Sequence, residues 1–147
     1  MMSPQLKFRA SLLRCARLMS DEINTILLPH QLNYSLWQVL YVIQLKQGCT
    51  SIDIAEYLNV SKPSIAKRIH ALMQLEVLEQ VDTEDKRQKK LILSQKGIQL
   101  FQICSEKMDV FEQQLLLPLD QDMQKSTLTT LHTLMDHLQD LKSGIQP

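Results

Sequence analysis

The chain has 147 residues, 44% of them hydrophobic and 22% charged, and its 16 Lys and Arg residues balance its 16 Asp and Glu residues. This composition excludes a disordered polypeptide and predicts a helix-rich domain with a core of its own. Three cysteines without a CxxC motif argue against a disulfide framework. Charged residues interrupt every apolar run in the first thirty positions, which argues against a signal peptide or a spanning helix. We therefore expect a cytoplasmic protein without a membrane partner.

The predicted elements begin with two helices. Residues 5–28 carry apolar side chains at roughly helical spacing, and Pro29 ends this helix because proline disfavours helical backbone before it. Residues 34–47 form a second helix, which is rich in large apolar side chains and stops at Gly48.

A helix-turn-helix pattern follows. Thr50 and Asp53 fit a capping box at the start of a short helix, and Asn59 tolerates the left-handed backbone of a tight turn. Ser61 is a good N-cap for the next helix, which runs to about Leu75. The second helix of such a pair enters the major groove of DNA with its first residues at the base edges. Its predicted DNA contacts are Ser61, Lys62, Pro63, Ser64, Lys67 and Arg68.

A charged hairpin comes next. Two short apolar runs, 77–81 and 90–93, flank a polar tip, which is typical of two paired strands. Cations outnumber acids between residues 61 and 96, although the whole chain is neutral. A basic tip beside a recognition helix can reach the minor groove, whose negative potential favours Arg. The predicted DNA contacts of the tip are Asp85, Lys86, Arg87, Lys89 and Lys90.

Two long helices complete the pattern. Ser94 caps a helix over about 95–116, Pro118 breaks it, and Asp120 can cap a last helix over 121–142. The last helix has an apolar stripe at helical spacing, formed by Leu128, Leu131, Leu134, Met135, Leu138 and Leu141. The terminal helices thus carry more apolar side chains than a small DNA-binding lobe can cover, which indicates a homodimer.

Three segments of the chain carry a family resemblance: IAEYLNVS at 54–61, DKR at 85–87 and LILSQKG at 91–97. They resemble the MarR family of winged helix-turn-helix transcription regulators, whose wing signature is Asp-x-Arg, a basic strand and Leu-Thr-x-x-Gly. The resemblance implies that Arg87 enters the minor groove and that Asp85 orients it through a charge-assisted hydrogen bond.

The resemblance also implies an architecture and a partner. The fold is then mainly α (α+β), with one domain over residues 1–147. Its segments 5–30 and 95–147 form a dimerisation region from both termini, and 34–94 form the winged helix-turn-helix lobe. A two-fold dimer would bind double-stranded DNA at a pseudo-palindromic operator with half-sites about 10 base pairs apart.

The chain departs from the family pattern at three positions. Ser94 replaces the usual Thr, Glu76 stands where a Gly usually ends the recognition helix, and Gln80 stands where an Arg is common. The last two changes lower the local positive charge.

A small-molecule effector is a further implication of the resemblance. In this family the space between the dimer arm and the DNA-binding lobe often accepts an aromatic or phenolic ligand, which would release a repressor from its operator. Trp37 and Tyr41, one helical turn apart and expected in the core, are candidates to line it. Arg14 or Arg17 would pair with a ligand carboxylate.

Several alternatives stay open. One is a redox sensor that uses Cys15, although we expect this thiol to be buried and inert. Another is a winged helix that contacts proteins, with the leucine-rich terminal helices as its docking surface. His132 and His137 do not share a helical face, and we expect neither a metal nor a cofactor. The sequence contains no P-loop, GxSxG, HExxH or dinucleotide fingerprint, so we do not expect an enzyme.

Overall fold

The computed structural model describes residues 7–85 and 87–144 in two compact units, one up to Met108 and one from Asp109. The elements of the first unit are α1 (Phe8–Leu27), a 3-10 turn (Leu28–His30), α2 (Tyr34–Leu45), α3 (Ser51–Leu58), α4 (Lys62–Gln74), β1 (Leu78–Asp82), β2 (Lys89–Leu93) and most of α5 (Gln95–Leu115). The second unit holds the end of α5 and α6 (Gln121–Lys142). The prediction of a mainly α fold with a small sheet is confirmed.

Most helices begin and end where their capping residues predict. The Thr50 hydroxyl accepts a bond from the backbone N–H of Asp53 (3.2 Å), and the Asp53 carboxylate accepts one from that of Thr50 (3.0 Å). Asn59 has φ +54° in the turn after α3. Ser61 and Asp120 cap α4 and α6 through their side chains. α2 ends at Leu45, slightly before the predicted end at residue 47.

The core of the first unit lies between α2, α3, α4 and the hairpin. Its fully buried side chains include Leu40, Ile54, Ile65 and Leu72. The Trp37 ring is also buried and stacks on the Phe101 ring, with centroids 4.7 Å apart, which joins α2 to α5. Burial of these apolar side chains stabilises the lobe that presents α4.

Tyr41 does not join this core, contrary to the expectation from its spacing. It is 44% exposed, whereas Val39, Leu40, Val42 and Ile43 of the same helix are buried. These four residues define the buried face of α2, and at 100° per residue Tyr41 lies on the opposite side of the helix. Trp37 lies near that side as well, but the Phe101 ring covers the Trp37 ring.

Both edges of β2 are hydrogen-bonded, one to β1 and the other to the lobe. In its antiparallel register Leu78 pairs with Leu93 and Asp82 with Lys89. On the other edge, Leu91 exchanges two backbone hydrogen bonds with Cys49, of 2.8 and 3.1 Å. The base of the hairpin is therefore held in place by main-chain bonds.

The N-terminal end of α5 is bonded to the corner between α4 and β1. The Ser94 hydroxyl donates to the carbonyl oxygen of Glu76 (2.7 Å) and accepts from the N–H of Gly97 (3.0 Å), so Ser94 caps the helix as predicted. The Lys96 ammonium donates to the carbonyl oxygen of Leu75 (2.8 Å). These bonds connect the end of α4, the predicted recognition helix, directly to α5.

The long helices expose apolar side chains in this single chain. In the second unit, no residue of α6, all of which is described, is buried, and Leu138 is 61% exposed. In the first unit, Leu13 of α1 is 69% exposed. Cys15 of α1 is exposed as well, so the expectation of a buried thiol is wrong for the isolated chain. Within the described residues, the structure contains no helix with the length and apolar character needed to span a membrane.

Candidate nucleic-acid interface

The recognition helix α4 presents most of its predicted DNA contacts to solvent. Ile65, Ile69 and Leu72 face the core, which leaves the other side of the helix toward solvent. The exposed residues at its start are Ser61, Lys62, Pro63, Ser64 and Lys67. The Ser61 side chain caps the helix by accepting from the N–H of Ser64 (3.3 Å), which fixes the first turn.

Arg68 differs from these residues, since it is half-buried instead of exposed. Its Nη1 donates to the carbonyl oxygen of Ser35 and to Oε1 of Gln38, both at 3.2 Å, and both acceptors belong to α2. Arg68 follows Ile65 by three residues, so it borders the face of α4 that packs on α2. A long side chain at such a border can fold back to the neighbouring helix, which the sequence pattern did not indicate.

The tip of the hairpin is shaped by side-chain bonds to its own main chain. The Asp85 carboxylate accepts a bond from the backbone N–H of Arg87 (3.0 Å), instead of from its guanidinium as expected. The Thr83 hydroxyl lies 2.6 Å from the carbonyl oxygen of Asp85 and 2.8 Å from that of Gln88. Asp85 and Thr83 thus set the path of the turn that carries the exposed Arg87. Lys86 lies outside the described residues.

The two lysines of β2 have different surroundings. Lys89 bonds to the carboxylate of Asp82, its partner in the strand register, and this bond lowers the pKa of the Asp82 carboxyl. The Lys90 stem covers Gly48, at which an added Cβ would lie 2.5 Å from Cε of Lys90. Both lysines are exposed. Lys89 therefore has an acidic neighbour that offsets part of its charge.

An open groove of about 470 Å³ separates the recognition helix from the hairpin. Ala66, His70 and Met73 line it from α4, and Gln80 and Arg87 line it from the hairpin. Because Arg87 borders the same groove as α4, the structure brings the two predicted DNA-contacting elements to one side of the lobe.

The four candidate ligand residues are not brought together in a cavity. Arg14 and Arg17 are exposed on α1, where Arg17 pairs with Asp21 at 3.3 Å. A second cavity, of about 360 Å³, lies between the 3-10 turn, the end of α4 and α5. The described walls of neither cavity include Arg14, Arg17, Trp37 or Tyr41.

The other two cysteines are placed for packing. Cys49 and Cys104 are buried, and burial raises the pKa of each thiol, which disfavours the reactive thiolate. No group of three or more His, Cys, Asp or Glu residues among those described could hold a metal ion.

Sequence reasoning missed three residues that shape this surface. Ser35 and Gln38 receive the Arg68 guanidinium, and Thr83 organises the hairpin tip. Ser35 and Gln38 lie 33 and 30 residues before Arg68 in sequence, so no local pattern indicates that they bind it. Thr83 is a hydroxyl residue at the start of a polar turn, which is a weak local signal that could have been used.

Known proteins resemble this chain in sequence. A MarR family model matches residues 30–88. The HTH-type transcriptional regulator YwoH of Bacillus subtilis (strain 168) is 33% identical over 101 residues, which are 69% of this chain and 74% of YwoH. The HTH-type regulator SAV2265 of Staphylococcus aureus is 28% identical over 116 residues, which are 77% of this chain and 80% of that protein.

Solved structures share the fold. Staphylococcus aureus MarR, in complex with salicylate and kanamycin, superposes with a TM-score of 0.83 and 26% identity, covering 90% of this chain and 91% of its own. MepR of S. aureus, in a complex with DNA, superposes with a TM-score of 0.81 and 19% identity, covering 91% of this chain and 99% of its own.

Proposed function

The chain belongs to the MarR family of DNA-binding transcription regulators, and we propose that it is a dimeric repressor located in the cytoplasm. It binds a pseudo-palindromic operator, from which a small molecule releases it. The observation that carries the DNA-binding part is the shared groove of α4 and Arg87. Cationic and hydroxyl side chains at the start of α4 are the groups that bond base edges and phosphates.

We assign separate roles to the two elements. Lys62, Ser64 and Lys67 contact base edges in the major groove, with Ser61 beside them, and Pro63 adds an apolar contact. Arg87 enters the minor groove, and Asp85 supports it by fixing the turn. Lys86, Lys89 and Lys90 contact the phosphate backbone, where each neutralised phosphate releases counterions.

The dimer is the proposed cover for the exposed apolar side chains of the long helices. Leu13 of α1 and Leu138 of α6 are each more than half exposed, at 69% and 61%. Such surfaces on a folded chain mark an interaction site. A second copy of the chain would cover them and would place two recognition helices about one turn of DNA apart.

The effector is proposed from one observation on a similar protein. S. aureus MarR is similar to this chain and binds salicylate in its solved complex. Trp37, Tyr41, Arg14 and Arg17 are the residues that we expect near such a ligand once the dimer forms. A ligand that binds better to a form unfit for DNA lowers operator affinity by its difference in affinity between the two forms.

Selection from randomised duplexes, followed by fluorescence anisotropy at several NaCl concentrations, tests the DNA-binding proposal. We expect wild-type protein to enrich a pseudo-palindrome and its affinity to fall linearly with salt on logarithmic axes. Arg87→Ala should weaken binding, whereas Lys125→Ala on α6 is the control. Absence of salt-dependent binding would instead favour the protein-interaction alternative.

The exposure of Cys15 supports one second candidate, a redox-sensing regulator. Cys15 lies within the proposed dimerisation region, so its oxidation by peroxide to a sulfenic acid, with release of water, would alter the spacing of the two recognition helices. Treatment with hydrogen peroxide should then weaken operator binding by the wild type and leave the Cys15→Ser variant unaffected. An equal response of both proteins would remove this candidate.

A further inference from the structure

Arg68 has surroundings that set it apart from the other cations of α4. Lys62 and Lys67 are exposed to solvent, whereas Arg68 is half-buried and directs its guanidinium to α2. One nitrogen, Nη1, lies 3.2 Å from both acceptors, and its two hydrogens allow it to donate to each.

The two acceptors form a small receptor on α2. Ser35 and Gln38 are three residues apart and share one face of the first turns of this helix. Arg68 lies 33 and 30 residues away from them in sequence, so the bonds join two separate helices. Because the two hydrogens of Nη1 lie in the plane of the guanidinium, bonds to both acceptors restrict the orientation of that plane.

These bonds supply a directional restraint that the apolar contacts of α4 do not. Ile65, Ile69 and Leu72 bury α4 against the lobe, and such packing is non-directional. A rotation of about 10° about the helix axis moves a side-chain tip by about 1 Å. Hydrogen bonds to base edges weaken steeply over that range.

The opposite flank of α4 offers less restraint. Ala66, His70 and Met73 border the open groove toward the hairpin. The Arg68 bonds therefore lie on the flank where α4 meets another helix, and they oppose rotation toward the groove.

We propose that Arg68 is a positioning residue, which sets the rotation of α4 through Ser35 and Gln38 and does not contact DNA itself. This proposal rests on the proposed function, and it replaces the sequence-based assignment of Arg68 to base contact. Arg68 thus contributes to the discrimination between an operator and other DNA without touching a base, whereas Lys67 contributes to it by the base contact proposed above.

The test compares three single variants, and the double variant Arg68→Met with Gln38→Ala, with the wild type. Arg68→Met removes the donors and keeps an unbranched stem, Gln38→Ala removes one acceptor without changing α4, and Lys67→Met removes an exposed cation from the same helix. Each protein is titrated by fluorescence anisotropy against a duplex selected by the wild type from a randomised pool. A mixed-sequence duplex of equal length serves as the second probe, at four NaCl concentrations, and thermal unfolding is recorded alongside.

We expect Arg68→Met to bind the selected duplex about three- to tenfold more weakly, with unchanged affinity for mixed sequence and an unchanged salt slope. Gln38→Ala should act in the same direction, and the double variant should lose no more than Arg68→Met, because both remove the same link. Lys67→Met removes a proposed base contact, so it should weaken the selected duplex and, in a repeated selection, relax the preference at the base pair that Lys67 contacts.

Three results would overturn the proposal. A salt slope lowered by about 1 in Arg68→Met, with both duplexes weakened alike, would make Arg68 a phosphate contact. Relaxed preference at a single base pair, with Gln38→Ala silent, would make it a base contact. If wild-type protein shows no salt-dependent DNA binding, the proposed function fails before any variant is made, and the role of Arg68 fails with it.

Discussion

Gly97 lies against the carbonyl oxygen of Val77 so closely that a Cβ at Gly97 would lie 2.1 Å from that oxygen. The N–H of Ser94 donates to the same carbonyl at 3.0 Å. A side chain at this position would therefore push α5 away from the corner between α4 and β1, so the glycine of the wing signature has a steric basis.

The first prediction follows from this contact. Gly97→Ala should lower the free energy of unfolding by about 3 kcal/mol, because the obstructing atom is backbone and cannot move alone. Urea unfolding followed by circular dichroism measures the change. Ile98→Ala is the matched control, since Ile98 is the next residue of the helix and is 47% exposed. Equal stability of the two variants would mean that α5 shifts at little cost.

Glu76 gives a second prediction, because it adopts φ +62° at the end of α4. Glu76→Gly should raise the free energy of unfolding by about 0.5–1 kcal/mol, since glycine enters left-handed backbone without the steric cost that a side chain incurs. Glu76→Gln keeps the conformational cost and removes the charge, so it should leave stability unchanged. Differential scanning calorimetry compares the variants, and a gain in Glu76→Gln alone would point to charge instead.

The same position shows how much of the fold local sequence determines. Capping residues such as Thr50, Ser61 and Asp120 marked the helix starts, because a cap bonds within three residues of itself. Glu76 instead takes the conformation of the family's usual glycine. Its neighbours enforce this, since its carbonyl oxygen accepts the Ser94 hydroxyl.

What the sequence could not predict depends on contacts between distant residues. The bond from Arg68 to Ser35 spans 33 positions, so an amphipathic pattern marks Arg68 only as polar. Tyr41 lies one helical turn after Trp37 on α2, so the sequence pattern predicts the same burial for both, but Phe101 covers Trp37 and not Tyr41. The Cys15 environment depends on whether a second copy covers α1, which no pattern within one chain reports.

The Asp82–Lys89 pair gives a prediction about pH. The hydrogen bond from Lys89 lowers the pKa of the Asp82 carboxyl in the folded protein. A depressed folded pKa means that this stabilisation is present above the unfolded pKa, near 4, and is lost as pH falls through the folded value. In Lys89→Met the pKa of Asp82 should rise toward its ordinary value, as measured by NMR titration. Lys90→Met, which removes the next cation of β2, is the control variant.

The pair also bears on DNA binding. Asp82→Asn should free the Lys89 ammonium for a phosphate and raise the affinity for mixed-sequence DNA at low salt, with the gain screened at high salt. If Asp82→Asn has the same affinity and the same salt slope as the wild type, Lys89 is not a phosphate contact.

The last prediction concerns the proposed dimer. Leu138 is 61% exposed on α6, so a lysine there costs an isolated chain little. If a second copy covers this face, Leu138→Lys buries an unpaired charge at a cost of several kcal/mol and yields monomers at micromolar concentration. Analytical ultracentrifugation measures the mass, and Gln139→Lys adds the same charge at the next, polar position. Because paired half-sites need two recognition helices, Leu138→Lys should also lose operator binding while it keeps its helical circular dichroism. A dimer that withstands Leu138→Lys as well as Gln139→Lys would place the interface elsewhere.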